Sequence, residues 1–366
     1  MIIPEIPVSD TIDVSSLEQQ VRHWALFGQV ALTGCTGLQC DRLESVLKRC
    51  GGCADVLIEF DPAAGFAQPG DLEASALRLL NAGAFALVCD RESADAFETL
   101  PLDRTLRRIV DVPDQAVAVD CLVDLPNASA SRLAELEMAR VDALVPVDWL
   151  EANVALAADF LEQVLVTDRP DGLWSTVIVD PLGRALGLAY SASESLRYAI
   201  ENRVGAYHSR SRSELWVKGE SSGATQQLLG IRLDCDRDCL HFRVTQSPPG
   251  FCHRKIYTCF GQQRTIQSVT QRLADRIAAT DEKSFTRKLA QDPSMLEAKL
   301  LEEAAELALA SRQDDVDEVT WEAADVLYFT LVAMTKHDVG LESVYEELAR
   351  RMNRVVRRKN KLEKET

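Results

Sequence analysis

Between residue 29 and about residue 148, short apolar runs at 29–33, 55–60, 85–88, 116–123 and 143–147 alternate with stretches of helical spacing. Such alternation predicts βα units around a mostly parallel sheet, as in an open α/β fold or part of a barrel. The cluster Asp168-Arg-Pro-Asp-Gly172 punctuates the chain, and beyond it strand-like runs at 174–179, 185–190, 228–233 and 240–244 are separated by polar loops. After Gly261 the period changes again: 266–278, 295–311, 319–337 and 341–361 place Leu, Ala, Val and Ile on one helical face. The pattern therefore predicts a multidomain chain. An α/β domain over 1–168 precedes a middle, mostly β domain over 169–261, and an all-α bundle fills 262–366.

Composition narrows the function classes. At 366 residues with 46% hydrophobic and 27% charged positions, the chain suits two or three folded domains and not a disordered polymer. A net charge of −17 repels a polyphosphate backbone over most of the surface, so nucleic-acid binding is not expected. The exception is 348–366, where eight Lys/Arg face two Glu, a solvated helix end or a contact for a phosphorylated ligand. No apolar run approaches 18 residues and the N-terminus lacks signal-peptide order, so a cytoplasmic protein without membrane association is expected. Ten cysteines then read as reduced thiols, some of them metal ligands. The N-terminal stretch carries no glycine fingerprint or P-loop, and its lone Cys50-Gly-Gly-Cys53 reads as two ordinary thiols near a turn.

The densest chemical signal is Asp234-Cys235-Asp236-Arg237-Asp238, followed by Cys252-His253 and Cys259. If 234–238 is extended, period 2 puts Asp234, Asp236 and Asp238 on one face. Hard carboxylate oxygens suit Mg²⁺ and soft thiolates suit Zn²⁺, so two metals fit one constellation. Thiolates from Cys235, Cys252 and Cys259 with an open fourth position match a catalytic zinc; a structural zinc would draw a fourth ligand from Cys239 or His253. Upstream, Tyr207-His-Ser-Arg-Ser-Arg212 and Trp216-Val-Lys218-Gly-Glu-Ser-Ser-Gly223 join cations and hydroxyls to aromatics. Arg210, Arg212 and Lys218 are candidate phosphate contacts beside Trp216, with Ser221, Ser222 and Gly223 offering further donors.

Taken in order, SRSRxxLWxKGExSG, DCDxD and CHx₅CF resemble phosphoribosyl-AMP cyclohydrolase of histidine biosynthesis, over roughly 172–261. The resemblance implies that Cys235, Cys252 and Cys259 are zinc ligands and Asp234, Asp236 and Asp238 magnesium ligands, in a zinc site built across a homodimer. It implies hydrolytic opening of an adenine ring, with His253 a candidate for proton transfer or for orienting a ligand. The segments Ser221-Ser-Gly-Ala224 and Cys252-His-Arg-Lys255 depart from the family pattern but leave every implied ligand in place.

In the helical region, Glu302, Glu303 and Glu306 fall at i, i+1 and i+4, and Glu322 and Asp325 at i, i+3. Two such faces packed together place four or five carboxylates opposite one another, where like-charge repulsion calls for Mg²⁺. The Ala, Leu and Val residues around them leave little room for a purely polar face. EExxE…ExxD, with Ser284-Phe-Thr286 and Lys299 before it and Glu347-Leu-Ala-Arg350-Arg351 after it, resembles phosphoribosyl-ATP pyrophosphohydrolase, over 265–355. Lys299, Arg350 and Arg351 are candidate phosphate contacts or salt-bridge partners. The two resemblances together imply a bifunctional hydrolase acting on phosphoribosyl-ATP and then on phosphoribosyl-AMP; related fusions carry a comparable N-terminal extension. The competing readings are a general nucleotide pyrophosphatase with a structural zinc module, and a non-catalytic regulatory homologue.

Overall fold

The computed structural model describes residues 1–9, 11, 13–61, 69–89, 104–109, 121–261, 264–280, 283–313 and 315–355. The N-terminal part begins with β1 (Ile2–Pro7), α1 (Val14–Trp24), β2 (Gln29–Cys35), α2 (Cys40–Cys50), β3 (Asp55–Phe60) and α3 (Pro69–Ala82). It continues through β4 (Ala86–Cys89), β5 (Thr105–Ile109), β6 (Cys121–Asp124), α4 (Ala130–Met138), β7 (Asp142–Pro146), α5 (Val147–Ala152) and α6 (Leu156–Val164). Each strand pairs in parallel with the next, and β1 also pairs with β7, Ile3 lying opposite Leu144, so the sheet closes into a barrel.

The parallel sheet agrees with the apolar alternation, but two of its strands escape that pattern. β1 is broken by Pro4 and Pro7, and β5 carries two arginines in five residues. Of the run expected at 116–123, residues 116–120 lie outside the described residues, and β6 starts at Cys121.

Period-2 alternation explains both exceptions. Ile3, Ala31, Leu57, Ala86, Leu122 and Leu144 form one buried cluster. Two residues further along their strands, Glu5, Glu59 and Asp124 share that face and converge on Arg108 of β5. Its guanidinium lies 3.1 Å from Glu5, 2.6 Å from Glu59 and 3.1 Å from Asp124. Burial pushes the Glu59 carboxyl above its usual range, and Arg108 opposes that shift. Removing the sole cation from such a cluster leaves three half-buried acids uncompensated. We expect Arg108→Leu to destabilise the fold at pH 7 by roughly 3 kcal/mol, the lower end for breaking a buried pair. A carboxyl whose folded pKa is raised favours folding as pH falls through that value. The variant should therefore recover part of its loss on acidification, read as the difference in urea midpoint between pH 7 and pH 5.

The middle part contains β8 (Trp174–Val179), β9 (Ala185–Ser191), α7 (Ser193–Asn202), the hairpin β10 (Ala206–Ser209) and β11 (Glu214–Val217), β12 (Gln226–Leu233) and β13 (Cys239–Gln246). The four long strands lie in the order β12, β13, β8, β9, and only β13 and β8 run parallel. Ile178, Leu186, Tyr207 and Phe242 are buried in a core that also includes Phe27, Phe160 and Leu161 from the N-terminal part. Packing is thus continuous across residue 168, and the chain divides instead into Met1–Gly261 with the residues from Tyr345 onward, and Gln262–Val344.

The second unit is helical: α8 (Ile266–Ala278), α9 (Phe285–Gln291), α10 (Pro293–Ala310) and α11 (Val316–Lys336). Asp292 caps α10 by accepting from the Ser294 and Met295 amides, and Asp315 caps α11 by accepting from Asp317 and Glu318. α12 (Leu341–Met352) stops at Met352 and not at 361; residues 356–361 lie outside the described residues. Among the described residues no helix is long and apolar enough to cross a membrane.

Candidate active site

The aspartates meet by a route other than strand alternation. Residues 234–238 form an irregular loop joining β12 to β13, with Arg237 at φ 65°, and not an extended segment. The loop still gathers Asp234, Asp236 and Asp238, whose carboxylate oxygens all lie within 4.8 Å of one another, all exposed. A hydrogen bond to Asp234, with the Asp236 charge beside it, pushes the Asp238 carboxyl upward. Crowding of this kind is relieved by a proton or a cation, and three oxygens at this spacing match a hard divalent ion.

Cys252 and Cys259 are brought together at the start and end of the loop that follows β13. Burial, then a hydrogen bond donated to Cys252, raises the Cys259 thiol. The backbone fixes both: the Cys259 amide donates to the Leu186 carbonyl at 2.8 Å and the Cys252 amide to the Ile256 carbonyl at 3.2 Å. Cys235 is exposed on the 234–238 loop and does not complete a three-ligand set with Cys252 and Cys259. Cys239, at the edge of β13, turns its thiol toward the Leu240 carbonyl, and His253 is exposed beside Cys252.

Lys218 is buried, not presented to solvent. Its ammonium donates to the Ala224 carbonyl at 3.0 Å and the Gly250 carbonyl at 3.4 Å, tying the 219–224 turn to the thiol loop. Burial pushes its pKa down, while Cys259 and Cys252 act in the opposite sense. Arg210 stacks 4.1 Å above the Tyr190 ring and, with Trp174, His208 and Ser213, lines an open cavity of about 500 Å³. Arg212 is paired with Glu214 at 2.7 Å, Trp216 packs on Tyr207, and Ser221, Ser222 and Gly223 are exposed. The sequence reading missed Trp174 and His208 as cavity residues, and Tyr190 as the ring under Arg210. His208 stands next to the recognised arginines, but Trp174 and Tyr190 lie on strands whose pairing alone brings them there.

In the helical unit, Glu303 of α10 joins Glu322 and Asp325 of α11, with carboxylate oxygens all within 4.8 Å. Glu303 is buried, and one Glu322 oxygen is buried without a hydrogen-bond partner among the described residues. Burial, followed by the charges of Glu306, Glu303 and Asp325, pushes the Glu322 carboxyl up. An orphaned acceptor among crowded acids fits a cation. Glu302 turns away to Lys299, 2.8 Å distant, and Glu306 is exposed, so the opposed faces bring together three carboxylates and not four or five. The apolar residues beside them are not all core, since Leu301, Leu309 and Trp321 are exposed. Arg350 is buried and taken up by Glu347 at 2.7 Å and the Ala82 carbonyl at 2.8 Å; Arg351 also pairs with Glu347. These two arginines hold the Glu347 carboxyl down at about 2.

Residues 187–261 match the phosphoribosyl-AMP cyclohydrolase family and residues 266–352 the phosphoribosyl-ATP pyrophosphohydrolase family. The histidine biosynthesis bifunctional protein of Bacillus subtilis is 35% identical over 197 residues, covering 50% of this chain and 94% of that protein. The histidine biosynthesis trifunctional protein of Saccharomyces cerevisiae is 33% identical over 362 residues, covering 98% of this chain and 42% of its own length. Its counterpart from Komagataella pastoris is 45% identical over 202 residues, covering 55% of this chain and 24% of its own length. The chain thus spans from about a quarter to under half the length of these fungal relatives.

The aromatic wall beside Cys252 offers a local test. A Cβ on Gly187 would lie 2.2 Å from the Phe251 ring, next to Cys252. We expect Gly187→Ala to cost about 1–3 kcal/mol through overpacking. It should also raise the rate at which a thiol reagent labels Cys252, which is buried, measured by mass spectrometry on the folded protein.

Proposed function

We propose that this chain, which belongs to the histidine-biosynthesis family joining a phosphoribosyl-AMP cyclohydrolase to a phosphoribosyl-ATP pyrophosphohydrolase, performs both reactions. The helical unit hydrolyses phosphoribosyl-ATP to phosphoribosyl-AMP and pyrophosphate, and the middle sheet then opens the adenine ring between C6 and N1. The observation that carries the reading is the Glu303, Glu322 and Asp325 cluster, with its unpartnered buried oxygen, inside the region matched to the pyrophosphohydrolase. A general nucleotide pyrophosphatase accounts for that cluster but not for the thiols and aspartates of the first unit.

Glu303, Glu322 and Asp325 would hold Mg²⁺, with Glu306 near it and Glu302 positioning Lys299 beside Glu303. Lys299 is the phosphate contact in this reading, whereas Arg350 and Arg351 serve packing and charge pairing around Glu347. Asp234, Asp236 and Asp238 would hold a second Mg²⁺, and Cys252 and Cys259 would hold Zn²⁺ with Cys235 of a second copy. When bound, zinc supplies a water of lowered pKa and magnesium neutralises phosphate charge. Two thiols brought together and a third held on an exposed loop are what a site shared by two copies requires, and exposed Leu301, Leu309 and Trp321 add an apolar face for such a homodimer.

The chain's own groups do the remainder. Arg210 and Ser213 bind phosphate at the mouth of the open cavity, where the Tyr190 ring steadies Arg210 and Trp174 lines the wall. Ser221, Ser222 and Gly223 present further donors. Lys218 acts as a positioning residue, because its two carbonyl contacts set the thiol loop against the 219–224 turn. His253, exposed next to Cys252, exchanges protons with the substrate.

Separate sites make separable losses. Cys252→Ala should remove about one zinc equivalent per chain and abolish ring opening while pyrophosphate release continues; Glu303→Gln should do the reverse. A coupled assay from phosphoribosyl-ATP, with and without a zinc chelator, follows both steps, and chelation should accumulate phosphoribosyl-AMP. Loss of both activities in folded Cys252→Ala protein, or equal turnover of ordinary nucleoside triphosphates, would defeat the reading.

A further inference from the structure

Within the first unit, a cleft of about 220 Å³ between the barrel and the outer face of β12 and β13 shares no residue with the sites proposed above. Gly28 and the Gly52–Asp55 turn, just before β2 and at the start of β3, form its barrel wall. Arg232, His241 and Arg243 form the sheet wall. Leu240, Phe242 and Val244 point into the core, so strand alternation turns His241 and Arg243 the other way, and Arg232 pairs in register with His241. Gly230 lies opposite Arg243 in the ladder; a Cβ there would come within 3.7 Å of that guanidinium.

Cations outnumber acids in the lining of this cleft, where Arg232, His241 and Arg243 face Asp55. Among the described residues neither Arg232 nor Arg243 has a carboxylate within 4.0 Å, and Arg243 makes one long hydrogen bond, 3.4 Å to the Cys53 carbonyl. Burial lowers the pKa of Arg243 and of His241, and the neighbouring arginines add to both effects. Two acids face the arginines beyond ion-pair distance: Asp55, whose carboxyl burial pushes up, and Glu346. The Cys53 thiol is likewise pushed up by burial. Arg243, a half-buried cation with no ion pair among the described residues, is costly unless an anion completes it.

We propose that this cleft is a binding site for a small phosphate-bearing anion. Two guanidinium forks and an imidazole approach from two strands, which suits the several oxygens of a tetrahedral dianion; one fork alone satisfies a planar carboxylate. The volume falls below the roughly 300 Å³ at which drug-sized pockets begin, so the occupant is phosphate itself or a phosphate on a small organic body. An anion held here contacts the barrel and the catalytic sheet together and stabilises their packing.

The test uses the full chain with inorganic phosphate and with ribose 5-phosphate, followed by calorimetric titration and thermal shift. We expect saturable binding that Arg232→Gln and Arg243→Gln each weaken at least tenfold, and that Arg210→Ala, in the other cavity, retains. Circular dichroism confirms folding, and exposed Arg232 supplies a variant that leaves the core untouched. Binding of both probes identifies the phosphate as sufficient; binding of ribose 5-phosphate alone, with the same arginine dependence, adds the sugar. No binding of either probe, or binding that Arg232→Gln leaves intact and Arg210→Ala removes, overturns the proposal.

Discussion

Crowded carboxylates set the terms on which this protein folds. Three acids gathered around one point repel unless a proton, a cationic side chain or a metal lies among them. The barrel answers with Arg108, whose guanidinium ties Glu5, Glu59 and Asp124 from separate strands into one network. The helical unit has no arginine inside its own trio. Among the described residues, Glu303, Glu322 and Asp325 share only the edge contact from Lys299, and one Glu322 oxygen remains buried without a partner. Gathered acids are thus closed by an arginine in the barrel, whereas in the helical unit they are the proposed ligand set.

A second constraint comes from the merging of two sheets around one core. Phe27 and Phe160 from the N-terminal part and Ile178 and Phe242 from the middle sheet belong to one buried cluster. The barrel, which carries neither proposed reaction, therefore forms part of the wall on which the middle sheet rests. That junction also creates the arginine-lined cleft, because barrel residues 52–55 cover the outer face of β13 without placing a carboxylate within 4.0 Å of Arg232 or Arg243 among the described residues. Lys218 works at a smaller scale: by donating to carbonyls of two loops it holds the backbone that carries Cys252 near the turn that carries Ser221 and Ser222.

Much of this was legible from local pattern. Apolar runs at period 2 located most strands within a few residues, and runs at period 3.6 located α8, α10, α11 and the start of α12, while the short α9 went unread. Chemistry-bearing motifs were legible for the same reason, since DCDxD and EExxE…ExxD set their acids at short spacing. Less legible were β1 and β5, where prolines and arginines mask the strand signal, and the loop conformation of 234–238, where Arg237 at φ 65° replaces the extended path.

The amino-acid order by itself determined which side chains are available for chemistry and roughly which segments are helix or strand, because both depend on neighbours a few positions apart. Only the tertiary structure decided that the parallel strands close on themselves, that Glu303 and not Glu302 faces α11, and that Lys218 is enclosed while Arg210 stays open. Those outcomes depend on pairings between residues tens or hundreds of positions apart, which are settled by the shared burial of apolar surface and the matching of charges across it.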